Sequence, residues 1–222
     1  MTNLGIYLAP GKFVDSDHPA VVEYAYRATD GAYGDSDKAI HLYYAVRDDV
    51  RYDPYMPWAL PESYRASACL LAGRGFCVPK AALLAACGRA VGIPTRVAYA
   101  DVRNHLCTAR LRRLMGTDVF TYHGITELYL DGCWVKVTPT FNIELCEKFG
   151  VLPLDFDGQH DALLHPYDKH GRRHMEYLRY HDAWADVPWE RISSAMCAAY
   201  GTRAGIMPPR ADFAAEAEKT DS

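Results

Sequence analysis

The stretch GRGFCVPKAALLAACGRAVGIP, residues 73–94, decides the fold. Alanine and leucine fill its middle, and both are strong helix formers, so the composition predicts a helix over about 79–91. Gly92 suits the position just after a helix end, and Pro94 cannot continue the helix. Cys77 lies between two glycines and this helix start, where the positive end of the helix dipole favours a thiolate. We therefore predict that Cys77 is a nucleophile.

The other cysteines lack this setting. The chain has seven cysteines and no CxxC pair, so neither a zinc ribbon nor a thioredoxin-like redox motif is expected. The remaining six lie within helical or strand patterns, and we expect them to serve as small buried hydrophobic residues.

The sequence around this helix predicts an α+β fold. Upstream, apolar residues recur with helical spacing over about 37–50. Downstream, residues 95–102 are typical of a strand, and 119–141 of a hairpin turning at Asp131-Gly132. The expected architecture has N-terminal helices, with the cysteine-bearing helix packed on an antiparallel β-sheet. We expect one catalytic domain over 1–206 and a flexible tail over 207–222, which is rich in proline, alanine and glutamate.

His123 is the best candidate for a general base, because it lies inside the first hairpin strand. Period-two counting puts it on one face with Glu127. A two-residue turn at Asp131-Gly132 would place Glu127 opposite Lys136 and His123 opposite Thr140. Such a polar cluster on a strand face is typical of a functional site, and an activated cysteine requires a neighbouring base.

Composition excludes several classes of protein. The 222 residues carry 24 basic and 28 acidic side chains, a net charge of −4, so nucleic-acid binding is not expected. No run of about 18 apolar residues suggests a membrane span. The start does not resemble a signal peptide, so we expect a cytoplasmic protein with reduced thiols. The spacing of His160, His165, His170 and His174 fits no zinc pattern, and we expect no metal and no cofactor.

Together these residues resemble the transglutaminase-like superfamily of cysteine enzymes. The resemblance covers roughly residues 35–145 and rests on GRGFC (73–77), GIPTR (92–96), HGITELYL (123–130) and WVKVTPT (134–140). It implies a papain-like core in which Cys77 is the nucleophile and His123 the general base.

The third catalytic residue departs from the family pattern. The family usually has an aspartate where this chain has Thr138, a position that the hairpin register places diagonal to His123. Asp101, at the end of the 95–102 strand, is the first candidate for a substitute carboxylate, and Asp118 is a weaker one. Thr138 or Asn142 could orient the imidazole instead, and a site with no third member is also open.

A Cys–His pair performs acyl transfer through a thioester acyl-enzyme. The resemblance extends to small Dieckmann cyclases that release tetramate or pyridone products, which implies a substrate held by an acyl or peptidyl carrier protein. Amide chemistry on peptides, as a protease, amidase or amine transferase, is the alternative, and a non-catalytic binding module is a third. We expect Phe76, Tyr122 and Trp58 to contact the substrate, and the basic clusters 110–113 and 169–173 to meet an acidic carrier. The oligomeric state stays open.

Overall fold

The computed structural model describes residues 4–201 and 212–219. The helices in these ranges are α1 (Pro19–Ala28), α2 (Gly34–Asp49), α3 (Ala66–Ala72), α4 (Cys77–Ala90), α5 (Ala109–Met115), α6 (Ile143–Phe149) and α7 (Trp189–Tyr200). The strands are β1 (Arg51–Tyr52), β2 (Arg74–Gly75), β3 (Thr95–Asn104), β4 (Val119–Leu130), β5 (Cys133–Val137) and β6 (Met175–Trp184). Short 3-10 helices cover Leu4–Tyr7, Pro61–Tyr64 and Ala214–Lys219.

Helix α4 is the centre of the molecule. Every residue from Cys77 to Arg89 is buried, as expected for a helix that is apolar on all sides. Helices α1, α2 and α3 surround it, and its remaining face packs on β4 and β3. Buried Lys80 joins α4 to α2, because its ammonium donates hydrogen bonds to the carbonyls of Arg47 and Val50. The helix ends as predicted, with Gly92 at φ +90°.

The main sheet has four antiparallel strands in the order β5-β4-β3-β6. The predicted turn is confirmed, since Asp131 and Gly132 both have positive φ, and Glu127 pairs with Lys136. The expected pairing of His123 with Thr140 is wrong, because the β4–β5 ladder stops at Val137. Pro139 has no N–H to continue the ladder, and the Thr138 N–H bonds to the Ala162 carbonyl instead, at 3.0 Å.

The two faces of the sheet have different neighbours. Gly124 and Thr126 face α4, where the Thr126 hydroxyl donates to the Ala81 carbonyl at 2.8 Å. On the other face, Ile125 packs in a second apolar cluster with Ala98, Ala100 and Val102. The α+β architecture with a nucleophile helix on an antiparallel sheet is therefore confirmed.

The C-terminal segment differs from the expected flexible tail over the part that is described, residues 212–219. Phe213 is buried, and its ring contacts those of Tyr52, Tyr55 and Phe149. The Glu216 carboxylate accepts a hydrogen bond from the Tyr55 hydroxyl at 2.8 Å. The composition of this segment therefore did not predict that the Phe213 ring packs against the rest of the fold. Residues 207–211 and 220–222 lie outside the described ranges.

Among the helices of the described ranges, none combines the length and the apolar character needed to cross a membrane.

Candidate active site

Cys77 is the first residue of α4, at the point where the chain turns out of β2. The turn is tight, because a Cβ on Gly75 would lie 2.6 Å from the sulfur of Cys69. The backbone N–H groups of Gly124, Val78 and Cys77 itself favour the thiolate. Burial of the thiol outweighs them and raises the pKa of Cys77 to about 11. Burial therefore opposes the effect of the helix dipole on which the sequence prediction rests.

His123 lies on β4, directly before the residue that touches the start of α4. A Cβ on Gly124 would lie 2.8 Å from both the Cys77 carbonyl oxygen and the Val78 Cα, so only glycine allows this contact. Burial lowers the pKa of His123 to about 3, so the imidazole is neutral. Its Nε2 is buried without a hydrogen-bond partner among the described residues. The nearest aromatic ring is that of Tyr177, edge-on at 6.4 Å between centroids.

Asp101 does not bond to the His123 ring. It lies where the β3–β4 pairing slips between Ala100 and Val102. Its Oδ1 accepts hydrogen bonds from the Tyr122 backbone N–H at 3.0 Å and from His181 Nε2 at 2.9 Å. The predicted Cys77–His123–Asp101 triad is corrected in this respect, because the bulge turns the carboxylate toward β6 and the Tyr122 backbone.

The two alternatives to Asp101 have different surroundings. The Asn142 side-chain oxygen accepts a hydrogen bond from the Tyr52 N–H at 3.2 Å, so the amide already holds the loop before α6. The Thr138 hydroxyl is buried and lies beside the Tyr177 hydroxyl. Tyr177 therefore lies next to both Thr138 and the His123 ring. Asp118 forms an ion pair with Arg103 at 3.4 Å, at a partly exposed position.

The Cys77 thiol opens into a small cavity of about 50 Å³, which we call the Cys77 pocket. Phe76, Trp58 and Tyr122, the three predicted substrate contacts, all lie in its wall. The remaining lining residues are Tyr52, Pro54, Val78, Leu111, Leu114, Met115, Phe120, Thr121, Met196 and Tyr200. No charged side chain of the described residues lines it, so the cavity favours an uncharged group.

Sequence analysis missed two parts of this site. Helices α5 and α7 supply Leu114, Met115, Met196 and Tyr200 to the pocket wall. Sequence analysis considered only the basic residues of α5, as a surface for a carrier protein. His181 was also missed, since its partner Asp101 can be identified only once β6 is known to lie beside β3.

The arrangement is suited to nucleophilic chemistry with a neutral pair. At pH 7 the thiol of Cys77 keeps its proton and the imidazole of His123 stays uncharged. Attack of such a thiol on a carbonyl would require a base that accepts its proton in the same step. The Gly124 and Val78 N–H groups, which favour negative charge at sulfur, lie beside the reacting atoms.

The described residues contain no group of three or more side chains that could hold a metal ion. The four downstream histidines are dispersed. His160 bonds to Asp157 at 2.7 Å at the surface, whereas His174 is buried and stacks on Phe141.

Comparison with known proteins agrees with the fold. The model of the transglutaminase-like superfamily matches residues 22–139, more than half of the chain. A "putative cysteine protease" from Cytophaga hutchinsonii superposes with a TM-score of 0.53 at 18% identity, covering 86% of this chain and 50% of its own. A "putative protease" from Parabacteroides distasonis gives a TM-score of 0.36 at 17% identity, covering 55% of this chain and 25% of its own.

This chain therefore spans about half the length of the first of these solved structures. No curated protein matches it. The matched residues include both Cys77 and His123, and they end immediately after Thr138-Pro139. On the strength of the family model and the shared architecture, the chain belongs to the transglutaminase-like superfamily.

Proposed function

We propose that this protein is a cysteine-dependent acyl-transfer enzyme that works through a thioester on Cys77. The observation that carries the proposal is the position of the thiol, which lies at the N-terminus of a buried helix and opens into an apolar pocket. A nucleophile in such a pocket can hold an acyl group away from water. His123 would take the thiol proton during attack and return it to the leaving group.

The specific reaction that we propose is Dieckmann-type cyclisation and release of a polyketide–peptide thioester from a carrier protein. The enolate of the acyl chain would attack the Cys77 thioester carbonyl, form a carbon–carbon bond and expel the thiolate, which regains a proton. An apolar, uncharged pocket supports an acyl chain as donor better than a charged peptide. The product would be a tetramate-like ring.

The proposed partner is an acyl or peptidyl carrier protein with an acidic surface. Arg112 and Arg113 lie on the exposed side of α5, whose inner side lines the Cys77 pocket. Positive charge at the rim of a thioester-binding pocket would steer an anionic carrier toward it. Arg172, in the second basic cluster, already pairs with Asp168 at 2.7 Å and is less suited to this role.

Amide chemistry on peptides is the second candidate, and the solved structure from Cytophaga hutchinsonii favours it by its name. The same Cys77 acyl-enzyme would form from a peptide bond and be resolved by water or an amine. The buried hydroxyl of Thr138, at the position where the family usually has an aspartate, leaves a binding module without turnover as a third outcome.

Intact-mass spectrometry separates these functions. The protein is incubated with a β-ketoamide N-acetylcysteamine thioester, and in parallel with a peptide library. An adduct that disappears as a cyclic product supports cyclisation, whereas an adduct that yields free acid, or cleaved peptides, supports hydrolysis. The Cys77→Ser protein should form no thioester adduct, and Cys133→Ser, at an exposed thiol, is the matched control. An adduct that persists in Cys77→Ser overturns the nucleophile assignment.

A further inference from the structure

The Cys77 pocket has a composition that defines the chemical class of its occupant. Apart from Cys77 and Thr121, its wall consists of aliphatic, aromatic and methionine side chains from four separate parts of the fold. These are the 52–58 loop, the start of α4, helix α5 with the first part of β4, and helix α7. The pocket wall is thus formed by segments that are distant in sequence. A charged group inside the pocket would lose its hydration without gaining a charged partner from the wall.

The pocket is contiguous with the reacting atom, since Cys77 is itself one of the lining residues. An acyl group bound to its sulfur therefore extends along the wall formed by Phe76, Tyr122 and Trp58, or toward α5. In the attack, a thioester R–CO–S–R′ forms a bond from its carbonyl carbon to the Cys77 sulfur and loses its bond to R′–S. The proton of the Cys77 thiol leaves with R′–SH, so the step needs no further reactant.

The size of the pocket limits what enters without rearrangement. The cavity measures about 50 Å³, against the roughly 10–15 Å³ that one water needs by the same measure, so only a short chain fits as it stands. Leu114 and Met115 of α5, both partly buried, form one side. Methionine side chains repack readily, so this side is the one that can yield to a longer chain.

We propose that the Cys77 pocket selects the acyl donor by its apolar chain, and that Leu114 of α5 sets the chain length it accepts. This inference rests on the proposed function and deepens it, because it names the donor as a short-to-medium uncharged acyl group. Each methylene that moves from water into the pocket increases the binding constant roughly fourfold, so the acylation rate should depend on chain length.

The test uses acetyl, hexanoyl and succinyl thioesters of N-acetylcysteamine, with Cys77 acylation followed by mass spectrometry. We expect hexanoyl to acylate at least tenfold faster than acetyl, and succinyl, which ends in a carboxylate, to be the slowest. Leu114→Trp should lower the ratio of the hexanoyl rate to the acetyl rate at least tenfold, whereas Leu114→Ala should raise this ratio. Leu71→Trp, on the exposed side of α3, is the matched control and should change none of these rates.

A second measurement separates the pocket from the chemistry. Hexanol should raise the Tm of Cys77→Ala, and the rise should disappear in Cys77→Ala/Leu114→Trp. Equal rates for the three thioesters, unaffected by Leu114→Trp, would overturn the inference and leave the proposed function standing. No acylation by any thioester, together with hexanol binding that depends on Leu114, would overturn the proposed function and leave an apolar site. No acylation and no hexanol binding would overturn both.

Discussion

Asp101 and His181 form a hydrogen bond of 2.9 Å between Oδ1 and Nε2, on neighbouring strands β3 and β6. A carboxylate only accepts, so Nε2 of His181 carries the proton. The ring of Tyr122 stacks on that of His181, with centroids 4.1 Å apart and planes 8° from parallel. Tyr122 has φ +55°, a strained conformation for an aromatic residue, and its N–H donates to the same carboxylate. This pair therefore holds the backbone directly before His123.

Replacing Asp101 by asparagine should disturb the site through Tyr122. A hydrogen bond to a charged group contributes about 1.5–3 kcal/mol, which is comparable to the strain of about 1–3 kcal/mol at such a residue. We expect Asp101→Asn to reduce kcat/KM for Cys77 acylation about tenfold, while the free energy of unfolding falls by no more than about 2 kcal/mol. Asp118→Asn, in a partly exposed ion pair, is the control. Equal small effects of the two variants would remove Asp101 from the site.

Thr138 offers a test of the proposal that His123 is the general base. A carboxylate beside a buried imidazole favours its charged form. We expect Thr138→Asp to raise the pKa of His123 from about 3 toward neutrality and to increase thiolate formation at Cys77. The measurement is the iodoacetamide alkylation rate of Cys77 at pH 7, which should rise at least tenfold. Thr138→Val, which removes the hydroxyl and adds no charge, is the matched control and should change little. An unchanged rate in Thr138→Asp would contradict this account of His123.

The wild-type thiol should respond to pH over an unusual range. Burial raises the pKa of Cys77 to about 11, so thiolate is scarce at pH 7. The alkylation rate of Cys77, measured by peptide mapping, should increase about tenfold per pH unit from pH 7 to 10 and stay below that of free cysteine, with a pKa of about 8.5. Cys133 in the same protein provides an exposed internal reference. A plateau below pH 8.5 would show that the N–H groups at sulfur outweigh burial.

Stability should fall with acidity because two histidines are buried. Burial lowers the pKa of His123 to about 3 and that of His174 to about 4, from about 6.5 in an unfolded chain. Below pH 6.5 the unfolded state therefore binds protons that the folded state does not, and stability decreases toward pH 4. Urea titrations at pH 7, 6, 5 and 4 measure this loss. His174→Gln should make the dependence shallower, whereas His170→Gln, at an exposed position, should reproduce the wild-type slope.

Phe213 tests whether the C-terminal segment is part of the fold. Its buried ring contacts Tyr52, which also lines the Cys77 pocket. Loss of a buried phenylalanine side chain costs about 3 kcal/mol. We expect Phe213→Ala to lower the free energy of unfolding by about that amount. Asp212→Asn, at an exposed neighbour whose side-chain oxygen still accepts from the Ala214 N–H, should leave it within about 0.5 kcal/mol. Equal stabilities of Phe213→Ala and the wild type would restore the interpretation of this segment as a loose tail.

Local signals in the sequence predicted the elements that need no distant partner. The Ala- and Leu-rich helix with its glycine end, and the hairpin at Asp131-Gly132, depend on propensity and turn chemistry within a few residues. The same signals located Cys77 and His123. The surroundings of Asp101 could not be predicted, because they depend on β6 pairing with β3 and on a bulge that no local pattern encodes.

The pKa of Cys77 was beyond sequence analysis for a related reason. A helix start predicts a favourable field at sulfur, but the burial that opposes it comes from α5, α7 and the 52–58 loop, which are distant in sequence. The burial of Phe213 could not be predicted either, since an aromatic residue in a proline- and alanine-rich segment gives no indication of where its ring packs.

The missing side chain at Gly124 has a practical consequence for anyone redesigning this protein. Strand β4 touches the backbone of α4 there, at a spacing that even a methyl group would violate. Main-chain contact thus fixes the spacing between the start of α4, which carries Cys77, and the strand that carries His123. Mutational libraries should leave positions 123 and 124 untouched and diversify α5 and α7, where a new donor preference can be selected without disturbing this contact.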